Sequence, residues 1–320
     1  MSRFIARRLI GMVAVLFAVS VIVFVAFMVL PKQNPAQTLA GKNPTPVLVK
    51  NIEEEWSFDD SLPQQYLTMM EKVFTGELIS YEPRLPVDDQ IFERLPATFS
   101  LTIGAALIWL AFGLLLGYLS AIHAGGWLDR LLTGVSIAGI SIPVFLLAPV
   151  LIYVFANQLE IFPNAQYVPF SEDPAEWANH LILPWITIAI LFIGFYSRVL
   201  RSNMLDAMNE DYVRTARAKG LSEQQVMRRH VLRNSLIPVI TLFGLDFGAT
   251  IAGTAIITEV IFSIDGVGNY AALAVQKFEL PPVMGVALYG SFFVVLVNTL
   301  VDIFYAYLDP RVRLGESPSA

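Results

Sequence analysis

A single carboxylate, Asp246, stands ten residues inside the apolar run that opens at Leu236. At about 1.5 Å of rise per helical residue, that sets it near the middle of a membrane span. A charge there costs about 2.5 to 3.5 kcal/mol even on lenient scales, so the side chain has to face protein or water. Two readings stay open: a pathway-lining group that meets a cation, or a protonated or hydrogen-bonded packing residue with a partner inside the bundle. Glu259 and Asp302 lie nearer the ends of their apolar runs, where a structural role is the simpler reading. Catalytic groups do not come together elsewhere. His123, His180 and His230 fall in different loops, with no HExxH pair and no nucleophile beside a base. The only Gly-Lys pair, Gly41-Lys42, is followed by Asn, so the chain cannot cradle ATP phosphates by the Gly-rich route. The lack of cysteine excludes disulfides, thiolate nucleophiles and thiolate metal sites.

The second constellation is cationic. From Arg198 to Arg233 the chain holds eight of its 21 Lys and Arg residues, mostly within a polar segment, 201–238, between two apolar runs. Such density suits the cytoplasmic side of a membrane. Tyr212, Val213 and Ala216 fall at helical spacing, and Gly220 stands where that helix would end in a left-handed cap. Ser222-Glu223-Gln224-Gln225 then forms a capping box that starts another helix. The spacing predicts a short helix, a glycine corner and a second helix. Ala207, Thr215, Ala216 and Ala218 give the first part a small-residue face over which a partner could pack closely, like a plug in a groove. His230 reads as a packing residue of this loop.

These groups need a membrane around them. Hydrophobic residues make up 55% of 320 positions and charged residues 15%, against about 25% charged in soluble domains. The net charge of −6, with the basic residues gathered on one membrane side, argues against a nucleic-acid partner. Six runs are long enough to cross a hydrocarbon core of about 30 Å, which takes roughly 20 helical residues: Leu9 to Leu30, Thr98 to Ile122, Leu131 to Phe155, Leu181 to Leu200, Leu236 to Phe262 and Val283 to Leu308. The first follows Arg3, Arg7 and Arg8 but far exceeds the apolar core of a signal peptide, so it reads as a retained anchor. Pro143 and Pro149 predict a kinked third span. Gly113 with Gly117, and Gly244 with Gly248, allow close helix approach, as simple packing or as a moving interface. With the N-terminus inside, the inner parts carry Arg3, Arg7, Arg8, Arg130, the cluster of eight, Arg311 and Arg313, while the short outer loops hold only Lys277.

Between the first two spans, the segment 31–97 opens with a loop rich in Pro, Asn and Gly, continues with acidic Glu53-Glu54-Glu55-Trp56, and predicts a helix from Pro63 to about Phe74. It reads either as a small extracytoplasmic cap or as a solvated spacer touching nothing.

The run DYVRTARAKGLSEQQV from Asp211, followed by HVLRNSLIPVIT from His230, resembles the cytoplasmic coupling motif of the membrane-spanning permeases of ABC importers, in the branch serving dipeptides, oligopeptides and nickel. The likeness extends to QYL at Gln65 to Leu67, RLPAT at Arg94 to Thr98, SIPVF at Ser141 to Phe145, LILPWIT at Leu181 to Thr187, EVIFSIDGVG at Glu259 to Gly268 and DPRVR at Asp309 to Arg313. The wider family favours Glu-Ala-Ala where this chain has Arg214-Thr215-Ala216 and Leu-Pro at Leu232-Arg233, departures the peptide branch shares. Glu77 and Glu279 stand where Asp is usual, and Asp246 where an uncharged polar residue is usual, which bears on substrate choice.

The resemblance implies an all-α integral membrane protein with six transmembrane helices, the type I importer-permease fold and a cytoplasmic coupling helix. Its divisions would be an anchor helix over 1–30, an extracytoplasmic segment over 31–97, a five-helix core over 98–308 that includes the coupling loop 201–238, and a cytoplasmic tail over 309–320. It assigns ATPase coupling to Asp211, Tyr212, Val213, Arg214, Ala216, Lys219, Gly220 and Leu221. From its place in the span, Asp246 would line the substrate pathway and meet a group such as a peptide's amino terminus, while the resemblance puts Glu259 in the outer gate region. The implied partners are a second homologous permease, two cytoplasmic ATPase subunits, an extracytoplasmic solute-binding protein and membrane lipid. No cofactor binds this non-catalytic chain, and ATP with Mg sits in the partner subunits. The implied location is a prokaryotic inner membrane, with both termini cytoplasmic. A passive channel or secondary transporter would need no ATPase dock and often shows inverted repeats, which are not visible here. A membrane-embedded enzyme would need a catalytic cluster at one depth, and none is visible.

Overall fold

The computed structural model describes residues 2–30, 34–39, 45–81, 84–164 and 166–308. The Asp309 to Arg313 run, with Arg311 and Arg313, lies outside the described residues, as do the proposed tail and much of the Pro-rich loop that opens the outer segment. Among the described residues the chain is helical, apart from one antiparallel bridge between Ile79 and Pro86. In chain order the helices are α1 (Ser2–Phe24), extended by a wide π turn over Val25–Val29, α2 (Pro35–Leu39), α3 (Pro46–Trp56), α4 (Leu62–Thr75), α5 (Val87–Ile122), α6 (Trp127–Ser141), α7 (Val144–Gln158), α8 (Pro174–Met208), α9 (Asp211–Ala218), α10 (Glu223–Ile261), α11 (Val267–Lys277) and α12 (Leu280–Leu308).

Five helical stretches are long and apolar enough to cross a membrane, at Ala6–Val29, Val87–Ile122, Pro174–Met208, Glu223–Ile261 and Leu280–Leu300. A sixth candidate is the pair α6 and α7, which meet at 100° and make either a broken span or a re-entrant loop. The sequence predicts only a kink there. Pro143 has no amide proton to continue the helix, and its ring pushes Ile142 to an extended φ of −89° and ψ of 117°, so the helix ends outright. Three spans run past their apolar stretches. α5 starts at Val87, α8 ends at Met208, and α10 starts at Glu223 with no break before the bilayer.

The chain divides into two compact units. The first joins residues 1–99 to 248–320. Its core includes Val23, Phe24 and Met28 from the first span, Ile52, Trp56 and Met69 from the outer helices, and Ile91, Val267 and Met284. Fully burying one such side chain stabilises by about 1.5 to 3 kcal/mol. Within this core Lys72, buried on α4, reaches Glu55 at 2.8 Å and lies 5.5 Å from the Trp56 ring centroid, while the Trp56 indole donates to the Tyr81 hydroxyl at 2.7 Å. The outer segment is therefore no spacer touching nothing: α4 packs on α1 and on α3, and carries the helix that its sequence predicts.

The second unit covers residues 100–247. Its backbones approach closely where small residues allow. A Cβ added at Gly117 would lie 2.7 Å from the Ser197 carbonyl oxygen, and one at Gly113 would lie 2.8 Å from Tyr196 Cβ, so α5 seats directly on α8. At the same residue of α8 the hydroxyls of Ser136 and Ser197 meet at 2.7 Å, tying α6 to it.

Candidate functional site

α9 opens from an extended Glu210 and closes in the way its sequence predicts. Gly220 takes φ +79°, its amide donates to the Arg217 carbonyl at 2.9 Å, and the Leu221 amide reaches the Ala216 carbonyl at 3.4 Å. The capping box then starts α10: the Gln225 amide donates to Ser222 Oγ at 3.4 Å, and the Ser222 amide to Gln225 Oε1 at 3.3 Å. Sequence reading missed the strap across this corner, where Arg217 holds the Glu223 carboxylate with two bonds of 2.7 and 3.1 Å. Its signal was a basic and an acidic residue six apart on either side of a turning glycine.

The two faces of α9 differ from expectation in one respect. Val213 is 0% exposed and Ala216 4% exposed, because α9 leans on the first turns of α10, so Ala216 is packed inside the chain instead of being presented to a partner. The exposed side of the corner carries Asp211, Tyr212, Arg214, Thr215, Arg217, Ala218, Lys219, Gly220 and Leu221. Arg214 pairs there with Asp211 at 3.2 Å.

The cationic cluster is not uniform. Arg201, counted with it in the sequence, is committed internally: its guanidinium grips Asp129 of α6 through bonds of 2.7 and 2.7 Å. Asp129 is 4% exposed and also accepts from Ser120 and from the Gly125 amide at 2.9 Å. This bidentate pair ties α8 to the α5–α6 turn. Nothing in the sequence singled out Asp129; an acid in the first turn of a membrane helix was the available signal.

Asp246 is half-buried on α10 and accepts a hydrogen bond from the Tyr196 hydroxyl of α8 at 2.8 Å. Tyr196 belongs to an aromatic group with Trp109, Phe192 and Phe243, in which the Trp109 and Phe192 centroids are 4.4 Å apart. The packing reading thus has its partner.

Glu259 has no exposed surface. One carboxyl oxygen accepts from Thr98 Oγ1 at 2.8 Å, the other from the Asn269 amide at 2.8 Å, and Thr98 in turn accepts from the Val267 amide at 2.9 Å. A Cβ at Gly266 would fall 2.4 Å from the carboxyl carbon, and one at Gly268 2.9 Å from its oxygen, which explains both glycines of the GVG turn. One turn back on α5, Arg94 donates to Asp265 at 2.9 Å and stacks 5.0 Å from the Tyr270 ring centroid. Burial pushes the Tyr270 hydroxyl up to about 12, so the ring stays neutral beneath the cation. The RLPAT and EVIFSIDGVG runs, joined by the Thr98–Glu259 bond across 161 positions of sequence, therefore form one knot in the first unit. Among the described residues no three His, Asp or Glu side chains converge as a metal site would require.

Residues 113–314 match the family described as binding-protein-dependent transport system inner membrane component, and residues 1–102 match its N-terminal family. A probable peptide ABC transporter permease protein of Sinorhizobium fredii is 35% identical over 314 residues, covering 98% of this chain and 100% of that one. A probable D,D-dipeptide transport system permease protein of Escherichia coli K12 is 35% identical, covering 97% of each. A glutathione transport system permease protein of Escherichia coli is 34% identical, covering 98% and 99%. Among solved structures, an amino acid ABC transporter crystallised with histidines superposes with a TM-score of 0.54 at 16% identity, over 69% of this chain and 94% of that one, a likeness of fold. Family models over most of the chain and relatives above 30% identity along its length leave one assignment: the chain belongs to the binding-protein-dependent transport system inner membrane components, the multi-pass permease subunits of ABC importers.

Proposed function

We propose that this permease forms half of the translocation pathway of an ATP-driven importer of peptides or a related solute, in partnership with a second homologous permease. An external binding protein delivers the solute, and two cytoplasmic ATPases supply the energy and hold ATP and Mg. This chain itself is non-catalytic. The names of the relatives, which concern peptides, a D,D-dipeptide and glutathione, support the substrate class. Both termini face the cytoplasm on this reading, as does the loop 201–238, while 31–97 lies outside, between the anchor helix over 1–30 and the core over 98–308. The tail over 309–320 is cytoplasmic.

The observation that carries the reading is the strapped corner from Asp211 to Leu221, an exposed charged surface braced from behind by Val213 and Ala216 and continuous with a membrane span. ATP-driven closure of the ATPases would displace this corner and tilt the spans, alternating access between the two sides. We assign the ATPase contact to Asp211, Tyr212, Arg214, Lys219 and Leu221, with Val213, Ala216 and Gly220 holding the shape. Asp246 is assigned to the pathway. Glu259, wholly enclosed, acts on the outer gate region by fixing the Gly266–Gly268 turn and not by touching solute.

A cysteine-free chain makes the test direct. Cysteines placed singly at Lys219 and at Glu172 report by cross-linking and by impermeant thiol labelling. Lys219→Cys is expected to cross-link to an ATPase subunit and to label only from the inside, and Glu172→Cys only from the outside. Labelling of both from one side, or no ATPase adduct from Lys219→Cys in an actively transporting membrane, refutes the assignment.

A further inference from the structure

The guanidiniums of the segment 201–238 fall into two sets. Arg201, Arg214 and Arg217 are paired with Asp129, Asp211 and Glu223. Arg228, Arg229 and Arg233 are exposed, and among the described residues none has a carboxylate within ion-pairing distance. These three, with His230, Leu232 and Leu236, line an open cavity of about 630 Å³ at the start of α10. The lining positions 229, 232, 233 and 236 recur at helical intervals and share a face.

Their depth is informative. Leu236 opens the apolar run of the span, and at about 1.5 Å per residue Arg233 lies roughly 5 Å and Arg229 roughly 10 Å above it. The headgroup layer on each side of a bilayer is roughly 5 to 8 Å thick. Arg233 thus stands within the headgroup layer, Arg228 and Arg229 stand just above it within reach of a long side chain that snorkels, and Leu236 lies where the acyl chains begin. An acidic protein surface would match the charges but would leave Leu232 and Leu236 on a polar floor. A lipid matches both.

We propose that Arg228, Arg229 and Arg233, with Leu232 and Leu236 beside them, form a binding site for the phosphate headgroup of an anionic phospholipid in the cytoplasmic leaflet. The site rests on the orientation of loop 201–238 given above. Bidentate guanidinium–phosphate bonds fix the headgroup, and the half-buried Leu232 and Leu236 offer apolar surface to the first methylenes of its chains. The lipid anchors the root of the helix that carries the coupling corner.

The test uses the assembled transporter, reconstituted in phosphatidylcholine vesicles with spin-labelled phosphatidylglycerol or phosphatidylcholine as probe. The wild type is expected to immobilise phosphatidylglycerol preferentially. Each cation near an anionic leaflet contributes on the order of five-fold to association, so R228Q/R229Q/R233Q is expected to lose at least about five-fold of that preference, whereas R214Q/R217Q keeps it. Native mass spectrometry of the wild type gives a readout independent of any variant, with phosphatidylglycerol adducts expected to survive exchange into phosphatidylcholine. An unchanged preference in the triple variant with no retained adduct in the wild type overturns the site. Abolition of the preference by millimolar inorganic phosphate makes it a free-anion site, and loss of the ATPase subunit from the triple variant with lipid preference intact makes it a protein contact; either overturns the proposal. Impermeant labelling of Glu223→Cys from the outside removes the leaflet assignment together with the orientation, and is read separately from lipid preference.

Discussion

Adding one methyl group at Gly266 should loosen the first unit through a carboxyl group seven residues away. The Cβ of Gly266→Ala would lie 2.4 Å from the Glu259 carboxyl carbon, where carbon contacts favour about 3.5 to 4 Å. Glu259 would have to retreat by more than roughly 1 Å. Its bonds to Thr98 and to the Asn269 amide, each 2.8 Å long, cannot both survive that shift, since such bonds weaken beyond about 3.2 Å. Leaving one buried partner unsatisfied costs about 1 to 3 kcal/mol, and overpacking adds about 1 to 3, so the total is about 2 to 6 kcal/mol. The assay is a thermal-stability curve of the detergent-purified transporter, followed by monodispersity after heating, in a double-mutant cycle with Glu259→Ala. Glu259→Ala alone removes the acceptor of the Thr98 hydroxyl and of the Asn269 amide, but it also removes the atoms with which the new methyl collides. The double variant should therefore be more stable than the sum of the singles by at least about 1 kcal/mol. Strict additivity would refute the knot as the reason for the glycine.

Three further outcomes follow from the same contacts. Asp129→Ala leaves Arg201 unpaired and should destabilise by about 3 to 5 kcal/mol in the same thermal assay; Arg201→Lys should not restore wild-type stability, because an ammonium cannot make the two-pronged contact. At the coupling corner, Ala218→Trp on the exposed face should insert and fold normally yet fail to pull down the ATPase, whereas Ala216→Trp, in a buried position, should lower stability by about 1 to 3 kcal/mol first; the reverse ranking would reject the faces assigned here. Asp246→Asn should lower transport with assembly and basal ATP hydrolysis intact if the carboxyl meets a cation, and unchanged uptake across a panel of peptides would leave it the packing partner of Tyr196.

Local chemistry was legible in the sequence wherever it is written in neighbouring residues. Gly220 and the Ser222 capping box predict the corner because a left-handed cap and an N-terminal box each involve residues within a few positions of one another. Apolar length predicts the spans for the same reason. What the sequence hid lies in long-range pairing. Asp129 with Arg201, and Thr98 with Glu259, meet only because glycine-lined helices come into contact, and no periodicity reports which acid finds which donor. Ala216 illustrates a subtler miss: a small residue suits close packing, but smallness does not say whether the neighbour belongs to another subunit or to the same chain.

The continuity of α10 was hidden too, and it matters most for mechanism. A polar segment followed by an apolar one reads as a loop and then a span, yet backbone hydrogen bonding takes no account of where the bilayer begins. The helix runs unbroken for 39 residues from Glu223 to Ile261, so the corner and the span are one lever. A push on the corner cannot be absorbed by a flexible loop. It can be absorbed only where the helix is already loosened: the wide turns at Met227–Leu232 and Thr250–Thr254, and Pro238, which removes one backbone bond between them. Asp246 lies between Pro238 and the second wide turn, on the stretch of α10 that keeps ordinary α-helical bonding.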